Sequence, residues 1–199
     1  MSASALIVID VQVDFCPGGA LAVDGGNEIV AGINDRMRDF DTVVLTQDWH
    51  PAGHSSFAST HPGKAPFGTV EMAYGTQVLW PDHCVQGTPG AGFHPDLTTD
   101  RAAVIVRKGM NPDIDSYSAF FENDQTTATG LEGWLKTRGI ERLTFVGLAT
   151  DFCVAWSAQD AAKLGFEATV DEALCRAIDL DGSLWAAKLA MQGAGVRLT

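Results

Sequence analysis

Six short apolar runs punctuate this chain, and several of the stretches between them carry the three-to-four-residue spacing of helices. The runs lie at 5–9, 42–47, 103–107, 143–148, 167–171 and 195–198. In the first gap, over 25–39, Ile29, Ile33, Met37 and Phe40 recur with helical spacing. Helices are also expected over 127–138, with Gly139 as C-cap, over 151–164, closed by Gly165, and over 180–191. Unbroken apolar runs joined by helices are the pattern of a parallel sheet buried on both faces. The expected fold class is α/β: three-layer, with a mostly parallel six-stranded sheet and helices on both faces. A chain of 199 residues accommodates this as a single domain, 1–199.

Three of the runs end on residues with useful chemistry. The run Ala5-Leu6-Ile7-Val8-Ile9 meets Asp10, and Ala103-Val104-Ile105-Val106-Arg107 meets Lys108. The run 143–148 leads through Ala149, Thr150, Asp151 and Phe152 to Cys153, where a helix is expected to begin. In a parallel sheet the carboxyl ends of the strands share one edge, and ligands bind in the crevice there. An acid, a base and a sulfur far apart in sequence are therefore expected to meet. A cysteine in the first helical turn is favoured as thiolate by the helix dipole and by a nearby lysine, and a carboxylate can accept its proton. Backbone amides in the turn at 148–153 offer an oxyanion hole. Each residue alone has a plainer reading: Cys153 as a small buried hydrophobe, Asp10 as a helix cap, Lys108 as a solvated surface lysine. The inference comes from the three together.

A second constellation is Asp48-Trp49-His50 with His83. At a strand end, residues two apart point the same way, so one ion could take Asp48 and His50, with His83 arriving from a long loop. His54 is a spare candidate. Two histidines and one carboxylate suit a divalent metal, Zn²⁺ first, with Fe²⁺ or Mn²⁺ as alternatives. The same polar residues could instead simply hydrogen-bond the loop backbone. The stretch 51–99 is rich in Gly, Pro, His and Ser, with little periodicity, and a metal- and substrate-binding loop region is expected over about 48–99. Phe15, Trp49, Phe57 and Trp80 are candidates to wall a flat apolar pocket, although aromatics are usually core. Trp134, Trp156 and Trp185 fall on expected helices and read as packing. Cys175 reads as structural, in a strand-to-helix region after Asp171.

The formal net charge of −12, without a Lys/Arg cluster, argues against nucleic acid and anionic membranes as partners. No apolar run approaches the ~20 residues of a membrane span. The N-terminal stretch reads as a strand, not a signal peptide. The four cysteines, Cys16, Cys84, Cys153 and Cys175, are widely spaced, which fits a reducing cytoplasm better than a disulfide framework.

Six segments in order resemble the nicotinamidases of the isochorismatase-like cysteine hydrolase superfamily. They are ALIVIDVQVD with Phe15, TQDWHPAGHSSF, WPDHCVQGTPG, Lys108-Gly109, DSYSAF and GLATDFCV. The resemblance implies a catalytic triad of Asp10, Lys108 and Cys153. It implies metal ligands Asp48, His50 and His83, with His54 joining in some members. It implies ring-binding residues Phe15, Trp80 and Tyr117, and a cis peptide before Ala149 that aims the amides of Ala149 and Cys153 at an oxyanion. The implied reaction is hydrolysis of nicotinamide to nicotinate and ammonia through a thioester, with pyrazinamide accepted as well. A homo-oligomer is also plausible by resemblance. The alternatives are another amidase or ureidase of the superfamily and, further off, a non-catalytic ligand-binding module.

Overall fold

The computed structural model describes residues 3–199. All six expected strands join one sheet: β1 (Ala3–Ile9), β2 (Thr42–Asp48), β5 (Ala102–Lys108), β6 (Ile140–Leu148), β7 (Glu167–Arg176) and β8 (Arg197–Leu198). Their order is β5-β2-β1-β6-β7-β8, and every pairing is parallel. Among the described residues the α-helices are α1 (Val30–Arg36), α2 (Leu131–Thr137), α3 (Ala155–Lys163) and α4 (Ser183–Gly193). The step from β1 to β2 runs one way across the sheet, and the steps from β5 to β6, β6 to β7 and β7 to β8 run the other. Right-handed crossovers then place α1 on one face and α2, α3 and α4 on the opposite face.

Burial follows that layering. Ala5 through Ile9 on β1 are all essentially inaccessible, as a central strand covered on both faces requires. Leu6, Ile7, Val8 and Ile9 each contribute roughly 1.5–3 kcal/mol of burial free energy. At the edge, β5 alternates instead, and Ile105 is 45% exposed. Chain direction across the sheet reverses between β1 and β6, which makes the gap beyond their carboxyl ends the topological switch point. Gly147, at φ +115°, sits in a register shift of β6, and a Cβ there would lie 2.2 Å from the Ile9 carbonyl oxygen. The close approach of β6 to β1, beside Asp10, thus depends on that missing side chain.

Several boundaries differ from the sequence expectation. α1 starts at Val30 because 25–29 form turns, and one 3₁₀ turn, Met37–Asp39, extends it. Ile29, Ile33 and Met37 are nonetheless fully buried, so the periodic residues still mark the inner face. α2 starts at Leu131, after left-handed Gly130 (φ +95°). β7 runs five residues beyond the expected end at 171, so Cys175 lies within the strand rather than in a strand-to-helix region. Trp185 on α4 is 71% exposed and is not a packing residue. The stretch 51–99 contains an antiparallel hairpin, β3 (Thr69–Met72) and β4 (Gly75–Val78), that no apolar alternation announced, because its side chains mostly face water. Among the described residues no helix is long and apolar enough to cross a membrane.

Candidate active site and metal centre

Sheet register brings the first cluster together. Lys108, the last residue of β5, pairs with Asp48, the last residue of β2. Ile9 pairs with Gly147, so Asp10 emerges beside the turn that carries Cys153. Lys108 Nζ is fully buried at the centre: 2.9 Å from Asp10 Oδ2, 3.1 Å from Asp48 Oδ1, 3.5 Å from Cys153 Sγ and 2.8 Å from the Ser116 carbonyl oxygen. It is therefore not a surface lysine. Asp10 (φ +46°) is held from β2, where the Thr46 hydroxyl donates to Asp10 Oδ1 at 2.6 Å and accepts from the Asp10 amide at 3.1 Å. Thr46 was not singled out from the sequence. Its position two residues before Asp48, on the same strand face, was the available signal.

Charge state follows from burial and neighbours. Burial pushes the Asp10 carboxyl above its usual range, against the opposing pull of Lys108. Burial opposes the Lys108 charge, yet Asp10 and Asp48 hold its ammonium well above the ordinary lysine value. Burial pushes the Cys153 thiol well up despite Lys108. The sequence expectation of a dipole-favoured thiolate is thus outweighed by desolvation. Cys153 lies in a π turn, Thr150–Val154, that leads into α3, and the Leu148–Ala149 peptide is cis.

Asp48, His50 and His83 form the second cluster, all buried. His50 Nε2 lies 3.0 Å and His83 Nε2 3.3 Å from the same oxygen, Asp48 Oδ2. Each ring turns its Nδ1 to a backbone carbonyl oxygen, Gly109 at 2.9 Å for His50 and Pro81 at 2.8 Å for His83. Only an N–H can donate there, so in the neutral rings both Nε2 lone pairs face the carboxylate. Separations of 3.0 and 3.3 Å are those of neighbouring ligand atoms around an ion with bonds of roughly 2.0–2.1 Å. The charges agree. Asp10, Asp48 and Asp115 are buried against one buried lysine, a deficit that a divalent cation would offset. Three ligands of this type therefore fit a divalent metal. His54 stands slightly apart: its Nε2 meets the Asn111 carbonyl oxygen at 2.8 Å and its Nδ1 faces Ser56, while its ring lies 4.3 Å from that of His50.

Backbone supports fix these ligands. The Gln12 side-chain amide bonds both sides of the Asp48 backbone, accepting from its N–H at 2.8 Å and donating to its carbonyl oxygen at 2.8 Å. Asp14 Oδ2 accepts from the Cys84 amide at 2.7 Å, next to His83. At Gly109 (φ +65°), a Cβ would lie 2.4 Å from His50 Cε1.

The two clusters open on one small cavity, lined by Phe15, Trp80, Tyr117, Phe152, Asp48, His83, Asp115, Ala149 and Cys153, with Leu21 and Ile178. Phe15, Trp80 and Tyr117 are thus brought together. Phe57 instead packs edge-on to His50 beneath the metal cluster, and Trp49 stacks under Arg107 at 4.0 Å, so neither walls the cavity. Phe152 and Asp115 were overlooked, although each sits inside a motif already in view. Asp151 accepts from the Ile178 and Asp179 amides and from the Ser183 hydroxyl, tying the segment before α4 to the cysteine turn.

Comparison with known proteins agrees with this geometry. The Isochorismatase domain model matches residues 4–199. A nicotinamidase of Acinetobacter baylyi is 55% identical over 193 residues, 97% of this chain and 90% of that protein. The solved nicotinamidase/pyrazinamidase of Acinetobacter baumanii superposes with a TM-score of 0.98 at 56% identity, over 100% of this chain and 96% of that one. A pyrazinamidase of Pyrococcus horikoshii, solved in complex with zinc, gives a TM-score of 0.79 at 36% identity, over 98% of each chain. Sheet order, strand-end cluster and sequence likeness converge, and the chain belongs to the isochorismatase family.

Proposed function

We propose that this protein hydrolyses nicotinamide to nicotinate and ammonia, and pyrazinamide by the same route. The observation that carries the reading is the buried Lys108 ammonium, within 3.5 Å of Asp10, Asp48 and Cys153, the last two of which line an aromatic-walled cavity. Support for the choice of substrate comes from the relatives' names: the Acinetobacter baylyi protein is a nicotinamidase, and the solved Acinetobacter baumanii protein is named for both amides.

Asp10 takes the Cys153 thiol proton as sulfur attacks the carboxamide carbon. A raised carboxyl suits that role, since it holds the proton long enough to return it. Lys108 stabilises the charge on Asp10 and sulfur during the transfer. The carbonyl oxygen becomes an oxyanion on the amides of Ala149 and Cys153. Asp10 then protonates the nitrogen, the C–N bond breaks, and ammonia leaves a thioester on Cys153. Water attacks that thioester, its proton passes to Asp10, and nicotinate departs with the thiol restored. Phe15, Trp80 and Tyr117 hold the flat ring. Asp48, His50 and His83 hold a divalent ion, and the Pyrococcus horikoshii relative makes zinc the first candidate. When bound, the ion supplies a Lewis acid for the ring nitrogen of the substrate. The four unpaired cysteines suit a reducing cytoplasm.

The test is ammonia and nicotinate release by the purified protein, before and after chelation and metal re-addition. Stoichiometric release that chelation abolishes and metal restores is expected. Release that survives complete metal removal rules out the metal role; no release with any divalent ion rules out the substrate.

A further inference from the structure

The β3–β4 hairpin leaves its strand residues exposed or half-buried with one exception, Gln77, which is 1% exposed. A buried amide on a surface hairpin needs partners on both of its ends. Gln77 Oε1 accepts from the Tyr74 hydroxyl and from Asn123 Nδ2, each at 3.1 Å. Those two donors decide which way the amide faces. Nε2 is thereby turned toward Tyr117 Oη at 2.9 Å and Asp115 Oδ2 at 2.9 Å, with the Val78 carbonyl oxygen at 2.7 Å.

Both Tyr117 and Asp115 line the cavity, whereas Gln77 does not. Tyr117 Oη accepts a second hydrogen bond, from Trp80 Nε1 at 3.2 Å. The Tyr117 ring stands edge-on to Trp80, Phe152 and Trp156, with centroids 5.4–6.1 Å apart. Asp115 Oδ1 takes the Ser116 amide at 2.7 Å, so Gln77 completes the hold on that carboxylate. One side chain from outside the cavity thus fixes an aromatic wall and a buried charge inside it.

We propose that Gln77 is a positioning residue for substrate binding: oriented by Tyr74 and Asn123, it holds Tyr117 and Asp115 in place against a planar heteroaromatic amide. The proposal rests on the reading of this cavity as the nicotinamide site. A ring wall acts alike on bound substrate and transition state, so loosening it removes uniform binding, which raises KM and spares kcat.

The test compares Gln77→Leu, Tyr117→Phe, the double variant and Tyr74→Phe for nicotinamide kinetics. It also follows the indole N–H resonance of Trp80 without substrate, assigned through Trp80→Phe. For Gln77→Leu, KM about tenfold higher is expected, the scale of one lost buried hydrogen bond, with kcat within about twofold. The double variant is expected to lose less than the two single variants combined, because both remove the Gln77–Tyr117 bond and only Gln77→Leu also frees Asp115. The Trp80 resonance should move in Gln77→Leu. Tyr74→Phe, which removes one of the two donors that orient the amide, should raise KM less and in the same direction. Unchanged KM, an unmoved Trp80 resonance, or additive losses in the double variant would each overturn the proposal. Should Gln77→Leu not fold, an unchanged KM in Tyr74→Phe overturns it instead. Absence of nicotinamide turnover in the parent would count against the functional reading alone, and the Trp80 resonance would still decide the role of Gln77.

Discussion

The two halves of the site are built by different means. Asp10, Lys108 and Cys153 are presented by β1, by β5 and by the turn after β6, so sheet register places them. Of the metal-cluster residues only Asp48 is on a strand. His50 and His83 come from loops; single hydrogen bonds to the Gly109 and Pro81 carbonyl oxygens orient their rings, and Asp14 holds the Cys84 amide next to His83. The strand-end half should therefore lose chemistry without losing shape, whereas the loop half should lose its ion through changes that touch neither ion nor substrate.

The largest effect tests the first half. In Cys153→Ala, kcat should fall by at least about 10⁴-fold, since the covalent route disappears. Metal content and thermal unfolding should stay at parental values, because Lys108 keeps Asp10, Asp48 and the Ser116 carbonyl. Metal analysis beside a stopped assay reads both. Loss of bound metal in Cys153→Ala would show that the halves are not separable.

The same division decides what could be read from the sequence. The strands and the residues at their ends were legible because a parallel sheet leaves a strong signal, an unbroken apolar run that stops at a polar residue. That signal put Asp10 and Lys108 at strand ends, and their combination with Cys153 suggested the chemistry. His83 had no comparable signal. It is 35 residues from Asp48, on a loop without periodicity, and only its residue type and the WPDHC segment pointed to it. Gln77 was invisible for the converse reason: its neighbours face solvent, so no pattern marks the one position that turns inward. Trp185 misled because helical spacing says which residues share a face, not whether anything covers that face.

Changes to the loop supports come next in size. Gly109→Ala would place a methyl on the His50 ring, at a φ that alanine resists, and should weaken metal affinity about 100-fold. Excess zinc should restore little activity, because the ligand itself is displaced. Asp14→Asn weakens the hold on the Cys84 amide, and on the exposed Ala20 amide away from the ligands, so about a tenfold loss of affinity is expected, and excess zinc should recover most of the activity. A titration of activity against free zinc separates the two. Equal recovery in both would mean that Gly109 acts on stability rather than on ligand position.

The smallest effect probes whether the strand-end half is as self-sufficient as its geometry suggests. Asp151 follows β6 closely, yet its carboxylate faces away from the chemistry to hold Ile178, Asp179 and Ser183. Asp151→Asn keeps the shape and removes the charge from these bonds, so unfolding free energy should drop by about 1–2 kcal/mol, measured by denaturant titration. Turnover should change less than about twofold, because sheet register, not the loop before α4, sets Cys153 against Lys108. A fall in kcat much larger than the loss of stability would show that the cysteine turn relies on that loop. The division between a sheet-built half and a loop-built half would then give way to one in which both are held by loop hydrogen bonds.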